Sequence, residues 1–106
     1  MKQRCTPDAR YLIVRGRLWR TVNPSLPAHV RESLIRQLMQ ARRDVKAALQ
    51  SKDAALLRKA REDVHSAKLS LGERGPVWWA DGAKDYNRHL VKNSPYADWY
   101  QGLEQS

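Results

Sequence analysis

The chain has 106 residues and a formal charge of +9, with 20 lysines and arginines against 11 aspartates and glutamates. That length suits a single domain over 1–106 and leaves no room for a second independent core, and the charge points to anionic partners such as nucleic acid, anionic lipid or an acidic protein. A lone cysteine, Cys5, excludes an internal disulfide, and no apolar run approaches a signal-peptide core or a membrane span, so a cytoplasmic protein without membrane contact is expected.

The charge is uneven. Residues 1–53 carry 12 basic and 4 acidic side chains, and residues 54–106 carry 8 and 7, so the electropositive field belongs to the first half.

Residues 1–9 are polar, contain Pro7 and read as a loose lead-in. The segment Tyr11–Arg20 (YLIVRGRLWR) within 10–20 is rich in β-branched and aromatic residues and favours extended structure. As one continuous strand it would place Leu12, Val14 and Leu18 on one face, with Tyr11, Ile13, Arg15, Arg17 and Trp19 on the other. As a hairpin it would turn at Arg15-Gly16, with Gly16 supplying a positive φ. The hairpin, or a bend, is preferred, since glycine is a poor residue for the middle of a strand.

Asn23-Pro24-Ser25-Leu26-Pro27 breaks regular structure and opens a helix over 26–50, with Ser25 as the expected cap and Pro27 in the first turn. On this helix Val30, Leu34, Ile35, Leu38, Ala41, Val45, Ala48 and Leu49 fall within a sector of about 140°. Asp53 is placed to cap a second helix over 53–71 that Gly72 terminates, and Leu56, Leu57, Ala60, Val64, Ala67 and Leu71 form its stripe of about 100°. With so short a connection the two helices should lie antiparallel, stripe against stripe. Such a hairpin buries little on its own, so flanking segments are expected to cover its open side.

Residues 72–106 read as an aromatic loop with short helices. Pro76 and Asp81-Gly82 keep the stretch around Trp78 and Trp79 non-helical, Asp85 is a candidate cap for a short helix through Lys92, and Ser94-Pro95 signals another start. Tyr96, Trp99, Tyr100 and Leu103 then repeat at helical spacing. The expected fold is therefore mainly α: an antiparallel two-helix hairpin with a short N-terminal β element and an aromatic-rich C-terminal segment.

No catalytic constellation stands out, and no cofactor or metal is implied. Asp85 and His89 are four residues apart and Glu62 and His65 three apart, spacings used by proton-transfer or metal pairs, but capping and surface roles explain them more simply. Glycines 72 and 75 follow a helix end rather than leading into one, the wrong order for a phosphate cradle.

The basic residues are more informative. Arg36, Arg42, Arg43 and Lys46 project along the first helix, and Arg15, Arg17 and Arg20 alternate through the β segment around Trp19. Guanidinium forks beside a stacking surface are the chemical types that nucleic-acid grooves use, although the same side chains also serve as a solvated face. Those eight residues define the expected nucleic-acid-binding set of a non-enzymatic protein. The alternative expectation is a protein-interaction or self-assembly module, a homodimer included, using the helical hairpin or the tryptophan-rich segment, with Ile35, Met39 and Leu69 as leftover apolar surface.

The segments YLIVRGRLWR, LGERGPVWWADG and YNRHLVKNSPYADWY resemble those of a family of small uncharacterised bacterial proteins. The resemblance covers the β segment and most of the C-terminal third. It implies a bacterial, cytosolic origin and carries no residue role with it.

Overall fold

In the Arg15-Gly16 turn both residues adopt positive φ, 53° and 77°. This mirror-image turn matches the natural twist of two strands, and it closes a hairpin in which Val14 stands opposite Arg17 and Tyr11 opposite Arg20. The computed structural model, which describes residues 4–104, thus places strands β2 (Tyr11–Val14) and β3 (Arg17–Arg20) where the hairpin reading expects them. A third strand, β1 (Arg4–Cys5), pairs antiparallel with β2 and completes a sheet of order β1-β2-β3. The lead-in is therefore tied down over its described part. Thr6 turns the chain by accepting from the Ala9 amide and bracketing Tyr11, whose carbonyl and amide it meets at 2.9 and 3.2 Å.

The chain divides into two compact units, one joining the residues up to Thr21 with those from Trp79 onward, the other spanning Val22–Trp78. In the first, the inner sheet face carries Tyr11, Ile13, Leu18 and Arg20, all buried. Trp79 and Tyr96 each meet Tyr11 in a T-shaped arrangement at a centroid distance of 5.7 Å, the geometry that ring quadrupoles favour. Beyond β3 the chain returns alongside it: Arg88 N–H donates to the Leu18 carbonyl, Leu18 N–H to that of His89, and Val91 N–H to that of Gly16.

That return corrects the helix expected from Asp85 to Lys92. Asp85 instead accepts from the Asn87 amide at 2.9 Å, Arg88 turns the chain at φ 73°, and only Val91–Asn93 forms a single 3-10 turn. Helix α3 (Ala97–Glu104) starts where Ser94-Pro95 places it, with Ser94 Oγ accepting from the Tyr96 amide.

The second unit is the antiparallel pair of α1 (Ala28–Ser51) and α2 (Ala54–Leu71). Asp53 caps α2 by accepting from the Leu56 amide at 3.0 Å, and Gly72 ends it at φ 87°. At the start of α1, Pro27 rather than Ser25 occupies the cap position and no side chain caps it; the Ser25 amide donates to Asn23 Oδ1 in a local turn instead. Leu38, Ala67 and Leu71 form the core, with Val22, Leu26, Leu34, Ile35 and Val64 packed on it. Towards the tip the buried positions are alanines, Ala41, Ala48 and Ala60, and Leu49 and Leu56 stay more than half exposed at the margin of the seam. Among the described residues no helix is long and apolar enough to cross a membrane.

Candidate nucleic-acid interface

A two-residue turn decides which side chains share the outer sheet face. It sets Leu12 opposite Trp19 and Val14 opposite Arg17, while Cys5 of β1 stands opposite Leu12. The outer face is thus a row of Cys5, Leu12 and Trp19 beside a row of Val14 and Arg17, with Arg15 exposed at the turn. Trp19 is 39% exposed and Val14 37%, large values for apolar side chains in strands. One N–H of the Arg17 guanidinium donates to the Arg88 carbonyl at 2.8 Å, which steadies the group and leaves its remaining donors for a ligand.

Three carboxylates of this unit, Asp8, Asp81 and Asp85, are held by other partners. Asp8 accepts from the Tyr96 hydroxyl at 2.6 Å, the Thr6 hydroxyl at 2.7 Å and the Arg10 amide at 3.1 Å. Burial works to raise the Asp8 pKa, but these hydrogen bonds outweigh it and hold the carboxyl below its ordinary range. Asp81 is held low by its bond from the Arg10 guanidinium, which also lies over the Trp79 ring at 4.8 Å. Tyr11 is pushed up to about 12, chiefly by burial. Among the described residues no ion pair joins a carboxylate to Arg15, Arg17, Arg88 or Lys92, all of them exposed.

Arg20 leaves the expected phosphate-binding set. The turn puts it on the inner face, its side chain is 1% exposed, and NH1 donates to Asp85 Oδ2 at 3.0 Å. Of the β-segment residues, then, Arg15, Arg17 and Trp19 remain available on the outside. On α1 Arg36, Arg42, Arg43 and Lys46 are exposed as expected, with Arg36 and Arg43 seven residues apart on one line and Arg42 and Lys46 four apart on another. Arg43 donates to Gln40 at 2.8 Å, and Gln40 in turn donates to Asp44.

Arg88 and Lys92 were missed by sequence reasoning, because only the return of the chain along β3 brings them near the hairpin. Alternation in the hairpin version was the one signal that would have placed Leu12 and Val14 with Trp19. Asp85 is not on a helix with His89, whose ring stands T-shaped against that of Tyr86, whereas Glu62 and His65 share α2, with a His65 ring nitrogen 3.1 Å from the Arg74 guanidinium. Ile35 is packed into the helical core, whereas Met39 and Leu69 remain exposed. The chain matches no protein-family model, no curated protein and no solved structure in the comparisons made.

Proposed function

We propose that this is a non-enzymatic, cytoplasmic nucleic-acid-binding protein. The observation that carries the reading is the outer sheet face, where exposed Arg15 and Arg17 lead up to exposed Trp19, while Asp8, Asp81 and Asp85 are bound to tyrosine hydroxyls, Arg10 and Arg20. Guanidinium donors take phosphate oxygens in charge-assisted pairs, and an aromatic face takes a base. Arg36, Arg42, Arg43 and Lys46 supply a second run of cationic groups along α1.

Fluorescence anisotropy of a labelled oligonucleotide at two salt concentrations tests the reading. Neutralising about five phosphates gives a slope of log K against log salt near −4 to −5 on duplex, or about −3.5 on single strands. No detectable binding at low salt removes the proposal.

A second reading, self-assembly through the helical hairpin, draws on the exposed Met39, Leu49, Leu56 and Leu69. A salt-insensitive dimer in light scattering favours it, and a monomer at high concentration argues against it.

A further inference from the structure

We infer that the outer sheet face selects single-stranded nucleic acid, with an unpaired base stacked on Trp19 and its adjoining phosphate held by Arg17 and Arg15. The inference rests on the nucleic-acid reading above and narrows it to one form of ligand.

Three features of the face converge. Its centre is apolar and its rim cationic: Leu12 lies beside Trp19 across the strands, Val14 beside Arg17, and none of its side chains is acidic. Trp19 and Arg17 are two residues apart on one strand, so they stand on the same face about 7 Å from each other. That is the reach of one nucleotide, from base to phosphate. A duplex offers such a face only its phosphates, because its base planes are hidden in the stack, and Trp19 would then gain nothing from its exposure. A single strand can turn a base onto the indole, and every base has a π-face to offer.

Other occupants fit less well. A peptide adding itself as a strand next to β3 meets an edge already taken, since the Leu18 amide and carbonyl and the Gly16 carbonyl are bonded to the 88–91 segment. The opposite edge is β1, only two residues long. A folded protein partner needs roughly 20–30 residues a side, far more than this small face presents. One stacked base needs one aromatic ring.

The test is a pair of titrations at matched low salt, using a labelled single-stranded DNA of about a dozen mixed-sequence nucleotides and the duplex of the same sequence. The wild-type chain is expected to bind the single strand at least about tenfold more tightly. Trp19→Ala should weaken single-strand binding by roughly 5- to 150-fold and leave duplex binding unchanged, whereas Trp19→Phe should retain most of it. Circular dichroism of both variants checks that they fold; since Trp19 is an exposed strand residue, Trp19→Phe keeps the comparison valid even if the alanine variant is unstable. Equal affinity for the two forms, or a Trp19→Ala variant that keeps full single-strand affinity, overturns this inference while leaving the broader reading in place. Failure of the wild-type chain to bind either form overturns both.

Discussion

Arg20 and Asp85 lie 65 residues apart in sequence and are joined through NH1 and Oδ2 at 3.0 Å, with the arginine side chain sealed from solvent. Asp85 also meets the Tyr11 hydroxyl and the Asn87 amide, so the pair ties β3 to the segment that runs along it. Arg20→Ala should therefore destabilise the protein by about 2–3 kcal/mol. The figure sits below the usual cost of breaking a buried pair because the Asp85 side chain is 36% exposed. Arg17→Ala should stay within about 0.5 kcal/mol of wild type and lose affinity for nucleic acid instead. Denaturant melts alongside anisotropy separate the two, and equal stability losses would return Arg17 to a structural role.

Cations that touch phosphate reveal themselves in salt dependence. Each one removed should lower the slope of log K against log salt by about 0.9 on duplex or about 0.7 on a single strand, so Arg15→Ala with Arg17→Ala should flatten it by roughly 1.5 to 2. The same titration on Arg36→Ala with Arg43→Ala reports whether the α1 row contributes. An unchanged slope in both double variants would show that neither group contacts the backbone of the nucleic acid.

At Gly72 a β-carbon would sit 3.0 Å from Asn23 Cβ and 3.2 Å from Trp78 Cδ1, in a backbone conformation with φ +87°. Gly72→Ala therefore combines left-handed strain with crowding, and should cost about 1–3 kcal/mol in thermal or chemical unfolding. Asp53→Ala, which removes the acceptor for the Leu56 amide, should cost about 1 kcal/mol. A Gly72→Ala variant as stable as wild type would contradict the described helix end.

Stability should fall at both pH extremes. Asp8 and Asp81 have lowered pKa values in the folded chain, so their contribution is present above the unfolded carboxylate value of about 4 and drains away as pH drops below it. Tyr11 is raised to about 12, so its contribution is full below the unfolded tyrosine value of about 10 and is lost as pH climbs from there to about 12. Melting temperatures across pH 2–12 check both limbs, with Asp8→Asn flattening the acid limb and Tyr11→Phe the alkaline one.

Local signals in the sequence suffice where the responsible partner is close by. Asp53 before an apolar stripe and Gly72 after it define α2, and Gly16 supplies the turn that makes the hairpin. Ser25 misleads, because Asn23 offers its amide a nearer acceptor and Pro27 takes the cap position. Arg20 looks like Arg17 until the turn length assigns it to the other face, and its partner Asp85 is too distant in sequence for any pattern to reveal. Asp85 reads as a helix cap for the same reason: capping and an Asx turn use the same carboxylate geometry, and only the β3 edge it serves decides between them.

The first unit is stitched from two segments far apart in sequence, with the Leu18 amide donating to the His89 carbonyl. At roughly 5–20 residues per second, a ribosome would need several seconds after completing the hairpin to deliver that partner segment. During that delay the β3 edge stands open and Tyr11 and Leu18 are wet, the condition under which nascent strands seek the wrong neighbours. The helical hairpin, finished in one continuous stretch of synthesis, carries no such vulnerability, so translation speed and chaperone access bear chiefly on the sheet.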